Sequence, residues 1–399
     1  MSSVNGHSSD ATEAAPPGGA TSSPVHDPGS HNAAVAPIHL LGLGLPEFQQ
    51  WLEDHGHARY RAAQILDWVY AKDAESFAHM TNLSKGMRAW LAERVAVYRS
   101  QVTRQTVAAD GTRKLLLTWP DDHAIEAVWI PAQERNTACV SSQVGCPVGC
   151  RFCASGLDGL LRNLTAGEIV EQALRIRRLI GEQADRPRGQ QPETPHLTNV
   201  VFMGVGEPLA NYAAVVKAAR IINAPWGLGI GARRITISTI GLPKQIRRLA
   251  GEELQINLAL SLHAPDDDLR HELIPWAEAV PITELIDACR YYFEQTGREV
   301  TLEYVLLAGV NDRPRHAARL ATIAKRLRAN VNLLRYNPVP DLPYERPSAA
   351  SAHDFQERLR QRGINAHIRT SRGADAGAAC GQLRRSTGGE RSTPSRSPI

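Results

Sequence analysis

The 399-residue chain is 43% apolar and 22% charged, with a formal net charge of +4 and six cysteines. That balance excludes collagenous, low-complexity and disulfide-dense secreted classes, and no run reaches the eighteen or so apolar residues of a membrane span. The first thirty residues lack the basic-then-apolar pattern of a signal peptide, so the expected compartment is the cytoplasm, with no membrane partner.

Residues 1–37 are rich in Ser, Ala, Gly and Pro and contain three acids but no Lys or Arg, which reads as a disordered tail. Without them 45 basic residues face 38 acidic ones, a modest excess compatible with nucleic-acid binding. Residues 38–98 show helical spacing. Pro46 suits a first helical turn, Phe48, Trp51 and Leu52 share a face, Ile65, Leu66 and Val69 repeat it, and Ser84 is an N-cap for Met87, Trp90 and Leu91. Residues 99–136 alternate like strands around the Asp110-Gly111 turn, which predicts a β-hairpin linker region.

From residue 137 to 383 short apolar runs alternate with amphipathic ones. "TACVSS", "NVVFMG", "RITIST", "NLALSLH", "VTLEYVLL", "VNLLRYN" and "AHIRT" are predicted strands. Among the intervening helices, "TAGEIVEQALRIRRLI" opens on a Thr165/Glu168 capping box. The alternation predicts an α/β fold of parallel βαβ units in which six strands before the last form a barrel, closed or partial. Chemistry is then expected at the C-terminal ends of the strands. Gly181 to His196 reads as a polar surface loop, and residues 384–399, with Arg384, Arg385, Arg391 and Arg396, as a basic disordered tail.

Three of the six cysteines, Cys146, Cys150 and Cys153, fall in C-x3-C-x2-C after the first of these strands. Three thiolates on one loop suit a [4Fe-4S] cluster with one iron left for a small ligand, while a structural zinc completed by a distant His or Cys stays open. Gly145 and Gly149 would relax the backbone around the metal.

This spacing, placed at the end of the first barrel strand, resembles the radical S-adenosylmethionine superfamily. "MGVGEP" is similar to that superfamily's GGEP-type element and implies backbone contacts to S-adenosylmethionine at Gly206 and Glu207. Ser238 in "TISTIG", Ser261, Leu262 and His263 in "SLH", and Asn337 in "RYNP" resemble the cofactor contacts of one branch, the RlmN/Cfr family of RNA adenine methyltransferases. Adenine C2 is an electrophilic, non-acidic carbon that cannot attack a methyl sulfonium directly. The resemblance implies a detour that uses two S-adenosylmethionine molecules per turnover, one as methyl donor and one as radical source.

Within that resemblance Cys380 in "DAGAACGQL" matches the methyl-carrying cysteine, and Cys139 the resolving cysteine that ends in a disulfide with it. Glu126 in "AIEAVWIP" aligns with a catalytic proton acceptor. Cys289, inside a helical pattern, reads as a small buried hydrophobe. The similarity runs from Ile38 to Leu383, and its N-terminal part implies a helix-hairpin-helix-like module that engages RNA. The family's RlmN branch further implies two substrates, 23S rRNA at the peptidyl-transferase-centre adenine and tRNA at the adenine beside the anticodon. It also implies a flavodoxin or ferredoxin electron donor and a monomeric enzyme. The competing readings are a Cfr-type C8 methyltransferase, a different radical enzyme and a non-catalytic zinc protein that binds RNA.

Overall fold

A computed structural model of the chain describes residues 36–184, 196–340, 342–384 and 386–387. The tail read at residues 1–37 and the basic C-terminal stretch therefore lie almost wholly outside the described residues. So does most of the polar stretch before His196, although its first residues continue a helix rather than a loop.

The segment predicted as helical opens on β1 (Ile38–His39) and closes on β2 (Val95–Ala96), which pair in parallel. Between them run α1 (Leu45–Asp54), α2 (Tyr60–Tyr70) and α3 (Lys85–Arg94). Pro46 stands in the first turn of α1, and Ser84 caps α3 by accepting from Met87 N at 3.2 Å. Phe48, Leu52, Ile65, Leu66 and Leu91 are fully buried and join one core with the remainder of the molecule. At about 1.5–3 kcal/mol for each such side chain, the apolar stripes hold the module against the sheet domain.

β3 (Gln101–Val107), β4 (Arg113–Thr118) and β5 (His123–Ala132) are antiparallel, and β5 continues antiparallel onto β6 (Arg135–Cys139). The region expected to be a linker is therefore part of the main sheet. After β6 comes a small hairpin of β7 (Gln143–Gly145) and β8 (Leu160–Asn163), then α4 (Ala166–Ala184). The Thr165/Glu168 box forms at the start of α4, with Glu168 N donating to Thr165 Oγ1 at 3.2 Å and Thr165 N to a Glu168 oxygen at 2.7 Å.

In the main sheet the pairings from β6 to β14 are parallel and in chain order: β9 (Asn199–Phe202), β10 (Ile235–Thr239), β11 (Asn257–Ser261), β12 (Thr301–Leu306), β13 (Asn330–Arg335) and β14 (Ala366–Arg369). α5 (Tyr212–Asn223), α6 (Pro243–Ala250), α7 (Asp267–Leu273), α8 (Ile282–Thr296), α9 (Pro314–Leu327) and α10 (Ala349–Arg360) occupy the crossovers. Strands covered on both faces read as nearly unbroken apolar runs, which is why they were visible in the sequence. The six strands β6 and β9–β13 make the partial barrel, β14 extends it, and β3 and β14 are its unjoined edges. Parallel order puts the C-terminal ends of all these strands on one rim. A further short strand, β15 (Ser386–Thr387), returns to pair with β5.

Candidate active site

The rim encloses a cavity with about 990 Å³ of empty space, part of it open to solvent. Cys146, Cys150 and Cys153 form one side of it. The loop that carries them is pinched by the β7–β8 hairpin, where Cys146 N donates to Gly159 O at 3.1 Å. At Gly145, φ is +79° and a Cβ would lie 1.9 Å from Gly159 O, so only glycine closes this loop. Burial pushes the Cys146 thiol up to about 12 and the Cys150 and Cys153 thiols above their ordinary range, with the charges of neighbouring thiols adding to the effect at all three. Among the described residues no three His, Cys, Asp or Glu side chains converge on a single metal-ion position.

The opposite walls come from the strand ends. Gly206 has φ of +112°, and a Cβ there would meet Ser142 Oγ at 2.7 Å and Gln143 N at 2.9 Å, so the GEP turn lies hard against the loop after β6. Glu207 turns its side chain into the protein, accepting from Leu209 N at 3.0 Å and Ile240 N at 2.9 Å. Burial pushes this carboxyl up to about 7 against the pull of the Ile240, Thr239 and Leu209 donors. Ser238 and Ser261 meet through their hydroxyls at 3.1 Å.

His263 sits at φ +59°, a strained conformation for a non-glycine residue, and packs edge-on against Phe152. Its Nδ1 accepts from Val305 N at 3.1 Å, which assigns the ring proton to Nε2. Burial, with the Arg270 charge adding to it, lowers its pKa to about 3, so the ring is a neutral donor. Asn337 donates to Cys380 O at 3.2 Å, while its Oδ1 is buried without a partner among the described residues. Leu262 does not line the cavity: its side chain is fully buried in the core, and its backbone N donates to Glu303 O.

Cys380 borders this cavity and also a smaller neighbouring one. Cys139, at the end of β6 and only 6% exposed, lines the smaller one. Burial, then the nearby Cys380, pushes the Cys139 thiol up to about 12, with Arg369 opposing. Arg369, at the end of β14, lines both cavities and approaches Glu303 at 3.5 Å. It went unnoticed in the sequence, though its place at a strand end was the available signal.

Glu126 borders neither cavity. Its carboxylate pairs with Lys114 Nζ at 2.8 Å and accepts Arg384 N at 3.0 Å. Lys114 also donates to Gly377 O at 2.9 Å, Asp110 accepts Gly373 N at 3.0 Å, and Ala154 N donates to Gly381 O at 2.8 Å. The Cys380 loop is thus held by the β3–β5 hairpins on one side and the cysteine loop on the other. Cys289 is fully buried in the core, as a packing residue would be.

The donor set fits a [4Fe-4S] cluster with a small ligand beside it. Three thiols on one loop share a cavity with Gly206, a neutral imidazole donor and an amide oxygen that has no partner among the described residues. A buried thiol trio that is costly to ionise alone becomes favourable once metal cations offset its charge.

Two family models match the chain: "Ribosomal RNA large subunit methyltransferase N-terminal domain" over residues 38–97 and "Radical SAM superfamily" over residues 190–321. A protein of Gloeobacter violaceus named "Probable dual-specificity RNA methyltransferase RlmN" is 48% identical over 346 residues, which is 87% of this chain and 95% of that protein. One of Thermosynechococcus vestitus with the same name is 46% identical over 345 residues, 86% of this chain and 98% of the relative. The crystal structure of a radical SAM methyltransferase from Sphaerobacter thermophilus superposes with a TM-score of 0.82 at 47% identity, covering 87% of this chain and 99% of the other.

Proposed function

Since the chain belongs to the RlmN family of radical S-adenosylmethionine RNA methyltransferases, we propose that it methylates C2 of adenine in 23S rRNA and in tRNA by a two-cysteine relay. The observation that carries this reading is the position of Cys380 on the walls of both cavities, with Cys139 in the second. A methyl carrier has to face its donor and its acceptor, and Cys380 borders a chamber for each.

Cys146, Cys150 and Cys153 would hold the [4Fe-4S] cluster, with S-adenosylmethionine against Gly206, Glu207, Ser238, Ser261, His263 and Asn337. When bound, cluster and cofactor supply one-electron cleavage that yields a carbon radical. The chain's own residues do the rest. Cys380 takes a methyl group from a first S-adenosylmethionine as it gives up its thiol proton, loses a hydrogen atom from that methyl to the carbon radical, and joins the resulting methylene radical to adenine C2; the one electron that this adduct must shed would return to the oxidised cluster. Cys139 as thiolate removes the ring proton, and its sulfur then attacks the Cys380 sulfur, so that the Cys380 S–CH2 bond breaks as the disulfide forms and the released methylene carbon takes up a proton to become the methyl group.

Burial keeps Cys139 protonated until a partner charge arrives, and Arg369 faces both sulfurs. For Glu126 to act as proton acceptor it must exchange Lys114 or the Arg384 N–H for substrate. C2 is hidden in a paired helix, so the target base must be single-stranded or flipped.

The test is mass spectrometry of Cys380 in protein purified without oxygen. One added methyl, absent when the three cysteines of the loop are replaced by alanine, supports the relay, and an unmodified Cys380 in cluster-loaded protein refutes it. Cys139→Ala should trap RNA covalently on the protein. Mass analysis of the nucleoside product then separates C2 from C8 methylation, and unmodified rRNA and tRNA transcripts tested separately separate the two substrates. The reading also places the enzyme in the cytoplasm as a monomer served by a flavodoxin or ferredoxin. Gel filtration and reduction assays with each donor test these points.

A further inference from the structure

Arg270 in α7 is fully buried. One guanidinium nitrogen donates to Ile240 O, a second lies 3.5 Å from Val280 O, and Nε has no partner among the described residues. Among the described residues it forms no ion pair, and Asp267 on the same helix gives its carboxylate to Ile282 N at 2.7 Å. A buried charge without a counter-charge costs several kcal/mol, and arginine does not escape that cost by losing its proton. Burial lowers its pKa only to about 10, so it stays charged at neutral pH.

What lies beside it is the cysteine loop. Leu273, one turn further along α7, accepts from Arg151 N at 3.0 Å, which ties the helix to the backbone between Cys150 and Cys153. Leu269, Leu273 and Ile274 pack with Val148, Phe152 and the three cysteines in one apolar cluster. The thiol that feels Arg270 is Cys150. Arg270 does not line the cavity, but its hydrogen-bond partner Ile240 does.

We propose that Arg270 is a built-in counter-charge for the iron–sulfur cluster held by Cys146, Cys150 and Cys153, and that it raises the reduction potential of that cluster. The proposal rests on reading the three cysteines as cluster ligands. Three thiolates leave an oxidised [4Fe-4S] core with net negative charge, and one-electron reduction deepens it. A fixed cation in an apolar shell stabilises the reduced form more than the oxidised one, since net charge and local dielectric set such potentials. In the cluster-free protein this cation has only the charge of Asp267 nearby, with which it makes no ion pair, and its burial destabilises the fold.

The experiment compares wild type, Arg270→Met, Arg270→Gln and Arg270→Lys. The cluster is reconstituted anaerobically, its potential is followed by EPR-monitored titration without S-adenosylmethionine, and heat unfolding is measured with and without the cluster. Arg270→Met is expected to weaken reduction at least tenfold, a shift of about 59 mV to lower potential for one electron. It is also expected to unfold at a higher temperature than wild type when both are cluster-free. Arg270→Lys should restore most of the potential, and Arg270→Gln reads the same loss if the Met variant fails to fold. A cluster-loaded neutral variant with an unchanged potential overturns the proposal even if S-adenosylmethionine binding weakens. A wild-type protein that takes up no iron and sulfide overturns the proposal together with the cluster reading beneath it.

Discussion

Lys114 holds two partners that lie far apart in the chain, Glu126 at 2.8 Å and the carbonyl of Gly377, 263 residues away, at 2.9 Å. Both side chains of the ion pair are largely buried, at 17% and 10% exposure, so removing one strands the other. Lys114→Met is expected to cost about 3–5 kcal/mol. Lys114→Arg keeps the charge and should cost less. The same Met substitution frees one flank of the Cys380 loop, so hydrogen exchange at residues 373–383 should speed up relative to that in α9, and a loop unchanged in exchange would refute the assignment. From the sequence Glu126 could be found only through family resemblance. Lys114 could not be found at all, because a lysine in an alternating strand looks like any solvated residue until the register with β5 and the return of the chain are known.

At the scale of elements, α4 joins the helical module to the barrel. Its Glu171, fully buried, accepts from Arg99 N and Ser100 N at 2.9 Å and faces His39 Nε2 at 3.1 Å, while Arg175 reaches Ser100 O at 2.7 Å. Further along the helix Arg177 contacts Tyr70 O and Asp73, and Arg178 pairs with Glu75 at 2.5 Å. Burial alone would raise the Glu171 pKa, but the close approach of His39 and the hydrogen bonds from Ser100 and Arg99 outweigh it and hold the carboxyl below its ordinary value. A depressed carboxyl contributes stability that is complete above its unfolded pKa and is lost as pH falls through the folded value. The wild type should therefore lose stability as pH drops below about 4.5, with proteolysis first cutting near residues 95–100. Glu171→Gln should flatten this acid limb and lower the melting temperature at pH 7; an unaltered acid limb would count against the junction.

For the whole molecule the sheet is the organising fact, because parallel order places seven strand ends on one rim and the antiparallel strands β3–β5 beside it. The charge excess outside the first 37 residues is small, so RNA affinity must come from local phosphate contacts. Deleting residues 388–399, which removes Arg391 and Arg396, is expected to weaken RNA binding uniformly across sequences. The slope of log affinity against log salt should fall by about one to two units, and an unchanged slope would show the tail makes no phosphate contact. What the sequence determined by itself was whatever is local: strand and helix periodicity, the Ser84 cap, the Thr165/Glu168 box and the cysteine spacing all act within a few residues. Tertiary structure alone decided what depends on burial and register across the sheet. It brought Cys139 and Cys380 to one cavity and placed Leu262 in the core rather than on the wall. It also turned the Glu207 carboxylate inward, extended the sheet through the expected linker, and buried Arg270 beside the cysteine loop with no ion pair among the described residues. A side chain's dielectric surroundings are set by segments far away in the chain, and no local pattern encodes them.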